Sequence, residues 1–335
     1  MQAMMRLARR SGTRPARVAC AFVIGCLVAQ AAAQERYPSK PVRMIVPFAP
    51  GGGADISARA ISQKLSERLG QQFIVENRPG AGGNVGVELA ARAVPDGYTL
   101  LLVSSSYGAN PSLYKLSFDP VNGVEPITLV SQQPFIAVVH PSLPVKSVKD
   151  LIALAKAKPG ELSFASSGAG GIQHLALEFF KSAAGVNILH VPYKGGASAH
   201  TDLIAGYVHM TFGTILSTLK MVKSRQLRAL AVTTTKRTSA LPDTPTMIEA
   251  GVPGYVVSGW YAVLAPRATP KPVTTLLNRE IVALLQAAEV KERLAKEGST
   301  VVAGTPEQLV EDLRAEIAKW QKVTRAAGIR LEATR

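Results

Sequence analysis

The stretch "VPFAPGGGADISARAIS" (residues 46–62) decides the architecture. Met44, Ile45 and Val46 carry an apolar strand to its end. Pro47 and Pro50 bracket a short connection, three glycines follow, and Ile56, Ala60, Ile61, Lys64, Leu65 and Leu69 then recur at helical spacing. A glycine-rich turn from strand into helix leaves backbone N–H groups aimed at one spot. The helix dipole adds partial positive charge there. Such a loop suits an anion, phosphate or carboxylate. The pattern G-x-x-x-x-G-K-[ST] is absent, and G-x-G-x-x-G fails because position 56 is isoleucine. Taken alone, the loop is equally a tight turn with Asp55 as helix cap.

Outward from this loop, strand and helix patterns alternate. "VRMIVPF" (42–48), "FIVEN" (73–77) and "YTLLLVSSS" (98–106) read as strands, with helices over 54–69 and 85–93. "ITLVSQQPFIAVVH" (127–140) reads as two extended segments around Pro134. A second series follows: strands at 162–167, 188–193, 208–213 and 227–234, with helices at 174–185, 199–207 and 215–226 between them. Ser147 and Asp150 form a capping box for a helix that stops at Pro159-Gly160. "YVVSGWYAVLAP" (255–266) is extended, and Thr305-Pro306 with Gln308 opens a closing helix. Alternation of this kind implies mainly parallel sheets covered by helices on both faces. Two α/β units result, with crossovers near 137–145 and 255–262. The C-terminal helices, having no strands of their own, are expected to return to the first unit. The expected boundaries are a signal peptide over 1–33, a first lobe of 34–140 plus 259–335, and a second lobe of 141–258. A cleft between two such lobes is the default ligand site.

The N-terminus reads as an export signal. Arg6, Arg9, Arg10, Arg14 and Arg17 precede the apolar run "VACAFVIGCLV" (18–28), and Ala31-Ala32-Ala33 offers a cleavage site. "VIGC" (23–26) faintly resembles a lipoprotein box, but Leu27 and Val28 continue the apolar run past Cys26. A soluble product starting near Gln34 is expected, placed in the periplasm. Both cysteines, Cys20 and Cys26, fall in the signal, so the mature chain has no disulfide, thiol nucleophile or thiolate ligand. Removing five arginines takes the formal charge from +15 to +10. That favours anionic partners by steering. No basic run interleaved with aromatics is present, so nucleic acid is not expected.

Further loops of the same kind occur at strand ends: "SSSYGAN" (104–110), "SSGAGGIQH" (166–174) and "VPYKGGASAHTD" (191–202). They favour a ligand held by backbone and hydroxyl groups at the carboxyl edges of two sheets. Lys194 is readable as an anion-assisting residue or as an exposed loop lysine. His174 is readable as a base or ligand, or as a residue that caps or packs. No G-x-S-x-G elbow, no H-E-x-x-H and no zinc spacing among the five histidines is present. No metal or cofactor is expected, and an enzyme reading has no positive support.

"YPSKPVRMIVPFAPGGGADISAR", "VENRPGAGGNVG", "PDGYTLLLVSS", "NPSLY", "HVPYKGG" and "LRALAVTTTKRTSALPDTPTMIEAGVPGY" together resemble the substrate-binding proteins of tripartite tricarboxylate transporters, the Bug family. The resemblance runs from Tyr37 to about Ile329. It implies the type II periplasmic-binding-protein fold: two α/β lobes, two crossover strands and closure around a ligand. It implies small carboxylate ligands held by backbone N–H groups of the two glycine loops, often through waters. Carried onto this chain, the site would comprise Ala49, Gly51, Gly52, Gly53 and Asp55. On the facing lobe it would comprise Ser166, Gly168 and Gly170, with Tyr193 and Lys194 nearby and Ser104 and Ser105 in the wall. Many members carry an acidic residue in the stretch that here reads Phe212-Gly213-Thr214. Gly213 cannot orient an amino group, which points to a plain carboxylate, with room for a bulky or aromatic tail, rather than an acidic amino acid. The expected role is a monomeric solute receptor delivering its ligand to inner-membrane permease subunits. The alternatives are a ligand-dependent sensory co-receptor and, more remotely, a secreted α/β hydrolase-type enzyme.

Overall fold

The computed structural model describes residues 37–329 apart from 297 and 327. The expected signal segment, its cysteines and the start near Gln34 lie outside the described residues. In chain order the elements are β1 (Val42–Val46), α1 (Gly53–Leu69), β2 (Phe73–Asn77), α2 (Asn84–Ala91), β3 (Thr99–Ser104), the short α3 (Ser106–Ala109), β4 (Val124–Val139), α4 (Val148–Ala157), β5 (Ser163–Ser166), α5 (Ile172–Ala184), β6 (Leu189–Pro192), α6 (Gly196–Ile204), β7 (Met210–Thr214), α7 (Ile215–Lys223), β8 (Arg228–Val232), β9 (Ser258–Pro266), α8 (Lys271–Gln286), α9 (Ala288–Lys296), β10 (Thr300–Val301) and α10 (Pro306–Ala326).

Two sheets share one long strand. The first runs β2-β1-β3-β9-β4-β10 and the second β6-β5-β7-β4-β8. In each, three strands are mutually parallel and an antiparallel strand arrives beside them from the other lobe. The two lobes therefore repeat one topology. The crossovers are β4 and the chain entering β9. From Val124 to Pro134, β4 pairs with β9; from Phe135 to Val139 it pairs with β7 and β8. What the sequence presents as two segments around a proline is one continuous strand that changes sheets there. Pro134 has no N–H to give a ladder, and it stands where the ladder is handed over. The apolar run continues through Phe135–Val139, which is why the sequence places that boundary later, at 140. Thr233 ties both crossovers. Its Oγ1 accepts from the Phe135 N–H at 3.0 Å, and its carbonyl accepts from the Val257 N–H at 2.9 Å.

Local chemistry sets the helix ends. Gly70, with φ 73°, closes α1 by donating its N–H to Ser66 O at 3.1 Å. Ser147 Oγ accepts the Asp150 N–H at 3.1 Å to start α4. Thr305 and Gln308 form a reciprocal capping box at α10, with distances of 3.2 and 3.0 Å.

Each lobe has its own core. Ile45, Leu101, Val103, Leu129 and Leu264 pack together in the first. Phe135, Phe164, Phe180, Phe212 and Tyr255 make an aromatic core in the second. Two features depart from the expected C-terminal arrangement. A short strand, β10, does form there and pairs with Ser131 and Gln132 of β4. And α10 straddles the lobes: Leu309 and Leu313 join the first core, Trp320 the second. A long amphipathic helix can divide its apolar stripe between two cores when they lie end to end along it.

Candidate functional site

The three helices α1, α5 and α6 begin at glycines 52, 171 and 195, and α7 begins at Thr214. None of the four has a side-chain cap. Their first turns converge on one small cavity of about 50 Å³ between the lobes. Gly52, Gly53 and Ala54 enter from α1, Ile172 and Gln173 from α5, Gly196 and His200 from α6, and Thr214 and Ser217 from α7. Ser104, Ser105 and Ser106 line it from the end of β3. Phe48, Gln133, Phe135, Ser167, Gly259, Trp260 and Tyr261 complete the wall. None of these residues is Lys, Arg, Asp or Glu. The cavity is thus electropositive through backbone N–H groups and helix dipoles alone.

Seven buried side-chain atoms lack a hydrogen-bond partner among the described residues, and four of them belong to this cavity: Ser105 Oγ, Gln133 Nε2, His200 Nε2 and Tyr261 Oη. All four residues are at most 2% exposed. An orphaned buried polar atom costs about 1–3 kcal/mol, so four around one cavity mark a place shaped for a polar ligand. Burial pushes the Tyr261 hydroxyl's pKa up. Thr214 and Gln133 lie near enough to oppose that rise, yet neither bonds it with good geometry. Burial pushes His200 down to about 4, so its imidazole is neutral at neutral pH. By contrast Gln173 is fully used: its Oε1 accepts the Ser167 N–H at 2.6 Å and its Nε2 donates to Phe212 O at 2.6 Å.

At Gly53 and Gly213, crowding excludes a side chain. A Cβ on Gly53 would collide with Tyr261 Oη and lie 2.6 Å from Thr214 Oγ1. One on Gly213 would collide with Thr218 and sit 3.2 Å from His200 Nε2.

Of the twelve residues proposed from sequence, Gly52, Gly53, Ser104 and Ser105 line the cavity. The others surround it. Ala49 donates its N–H to Lys194 O across the seam at 3.2 Å, which uses the lysine's backbone while its side chain is exposed. Gly51 (φ 81°) packs toward Ala197. Asp55 is buried and pins the loop, accepting from Gly51 N–H, Arg59 Nε and Asn77 Nδ2 at 3.0 Å each. Burial alone would raise its pKa; these bonds, Arg59 foremost, outweigh it and hold the carboxyl below its ordinary range. Tyr193 donates to Asp202 at 2.7 Å. Gly168 and Gly170 form the seam with Gly82 and Tyr114, whose hydroxyl donates to Ala169 O at 2.6 Å. The sequence does not single out Gln133, His200, Thr214, Ser217 or Tyr261. Gln133, Ser217 and Tyr261 stand in otherwise apolar or unremarkable segments without a local motif, and His200 and Thr214 lie in stretches noted for their glycines.

Ser166 Oγ lies 2.6 Å from His190 Nε2. This pair is not the start of a catalytic relay. Ser166 is fully buried behind the loop, also bonds Gly168, and is absent from the cavity wall. Among the described residues, His190 is bonded to no carboxylate. It stacks on His174 at 4.0 Å and is held at about 3 by burial, then by His174 and Lys181. His174 in turn accepts the Gly170 N–H at 3.1 Å, so both histidines brace the glycine loop.

Comparison with known proteins follows the same lines. The pattern described as "Tripartite tricarboxylate transporter family receptor" matches residues 57–329. The chain belongs to this family. A relative, Protein BugT of Bordetella pertussis (strain Tohama I), is 38% identical over 314 residues, 93% of this chain and 96% of its own length. Among solved structures, the periplasmic binding protein BugD superposes with TM-score 0.85 at 36% identity, covering 88% of this chain and all of that one (100%). The R. palustris protein Rpa4515 with adipate gives TM-score 0.85 at 38% identity over the same shares, 88% and 100%. The fold is that of a periplasmic binding protein with two lobes around a cleft, and the family is one of solute receptors rather than enzymes. No helix among the described residues is long and apolar enough to cross a membrane.

Proposed function

We propose that this receptor captures a small organic carboxylate in the periplasm, between two lobes that close on it, and delivers it to the permease subunits of a tripartite transporter. One observation carries the reading. Four helix N-termini without a side-chain cap of their own, α5 alone having its first N–H taken by Ser106, and four unpartnered buried polar atoms converge on a single cavity whose lining contains no Lys, Arg, Asp or Glu. Helix N–H groups, hydroxyls and the Gln133 amide can all donate there, which suits an anion rich in lone pairs. No carboxylate is present to receive an α-ammonium group, and Gly213 leaves none to be added without displacing Thr218 and His200. The ligand is therefore a carboxylate without an amino group, in line with the adipate of Rpa4515. The carboxylate is placed against the first turns of α1 and α6, with Ser104 and Ser105 beside it. The eight surrounding residues proposed from sequence shape and brace the loops. The receptor acts as a monomer, exported by its N-terminal signal.

Thermal unfolding with and without candidate ligands tests this. A ligand at 100 times its Kd stabilises by about 2.7 kcal/mol, a rise of several degrees in Tm. Adipate, succinate or another plain carboxylate is expected to raise Tm, and aspartate and glutamate to leave it unchanged. Tight binding of the amino acids alone would overturn the reading.

A further inference from the structure

His200 Nε2 has no hydrogen-bond partner among the described residues. The residue lies in the second turn of α6, lines the cavity and is 2% exposed, with this nitrogen buried. Gly213 of β7 and Thr218 of α7 pack close beside it: a Cβ on Gly213 would sit 3.2 Å from Nε2 and collide with Thr218. The other orphaned groups of the cavity are neutral. Gln133 presents its amide nitrogen as a donor, because its Oε1 accepts from Ser131 at 3.2 Å. Ser105 and Tyr261 present hydroxyls. On α6 itself the carboxylate of Asp202 is engaged by Tyr193. His174 and His190 stack behind Ser166, outside the cavity wall. Burial is the whole cause of His200's depressed basicity, and no charged group contributes.

We propose that His200 Nε2 contacts the bound carboxylate and takes up a proton on capture, so that the receptor binds its anion together with a proton. The inference rests on the carboxylate reading above. An anion enclosed without a cation is costly in a site of low polarity. A proton on the imidazole supplies the missing positive charge without a permanent lysine or arginine. An opposite charge within about 4–6 Å favours the charged form of a histidine. The imidazole is thus more basic in the complex than in the free receptor, where it titrates at about 4. Affinity then rises as pH falls from the complex's value towards that of the free protein, by up to about tenfold per pH unit. The useful window is pH 6.5–8.0, where both carboxyls of a dicarboxylate are largely ionised, and protons released by the ligand itself are counted with the His200 variants.

Calorimetry with adipate and succinate, in phosphate and in Tris at pH 6.5 and 8.0, counts the protons. The wild-type receptor is expected to take up a measurable fraction of one proton per ligand, larger at pH 6.5. His200→Gln, and His200→Asn as a second neutral replacement, are expected to bind more weakly with no uptake, after circular dichroism confirms their fold. Binding by the wild type with less than about 0.1 proton taken up at both pH values overturns the inference and leaves the carboxylate reading intact. Uptake that persists in the variants also overturns it. Failure of either probe, and of a wider carboxylate panel, to bind overturns both.

Discussion

At the scale of single residues, the cavity is defined by what is missing as much as by what is present. Gly53 sits where Tyr261 and Thr214 converge, and a methyl group there meets Tyr261 Oη before anything can move. Tyr261 is 2% exposed and cannot swing away. Gly53→Ala is therefore expected to lower stability by about 1–3 kcal/mol, the usual range for overpacking, and to abolish the ligand-dependent rise in Tm. Urea unfolding with and without ligand separates the two effects. A folded Gly53→Ala protein that still binds would show that the tyrosine is not part of the wall that matters. The glycines of this loop are legible in the sequence, because three in a row between a strand and a helix mark a turn where backbone comes close to a neighbour or a ligand. Gln133, His200 and Tyr261 are not. They lie far apart in the chain, and no local pattern points to any of the three side chains. They meet because β4 and β9 cross between the lobes and α6 points its first turns at that crossing.

At the scale of elements, two sets of helix starts contrast, while α2 and α8 start uncapped without reaching the cavity. Those of α4 and α10 carry their own side-chain caps, Ser147 and Thr305, and both are readable as capping boxes. Those of α1, α5, α6 and α7 open into the cavity without a cap of their own, which leaves N–H groups for a ligand except that of Ile172, taken by Ser106 Oγ at 3.0 Å. The consequence is separable by mutation. Thr305→Ala removes a cap remote from the cavity and is expected to cost about 1 kcal/mol with ligand affinity unchanged. Denaturant midpoints and calorimetry on one sample check both halves. Lost affinity would mean that α10 reaches the site through its packing. The alternation of strands and helices gives most elements their correct type. It cannot give β10, since two residues have no periodicity, nor the continuity of β4. A proline usually ends a strand, and here it marks an exchange of partners that exists only once the second sheet has formed.

At the scale of the molecule, capture depends on how the lobes hold one another. Three direct bonds cross the seam beside the cavity: Ala49 N–H to Lys194 O at 3.2 Å, Ile172 N–H to Ser106 Oγ at 3.0 Å, and Tyr114 Oη–H to Ala169 O at 2.6 Å. The last can be removed without disturbing the packing, because Tyr114→Phe keeps the ring that lies against Gly170. A bond made only when the lobes are shut contributes to ligand affinity and not to the stability of an open, empty receptor. Its loss at a typical net value of about 0.5–1.5 kcal/mol weakens binding roughly two- to tenfold. The change is expected mainly as faster release. The Tm of the empty protein should stay where it is while the ligand-dependent rise shrinks. If the empty protein instead loses the same stability as the complex, the bond exists in both states, and the seam is a fixed joint rather than part of closure.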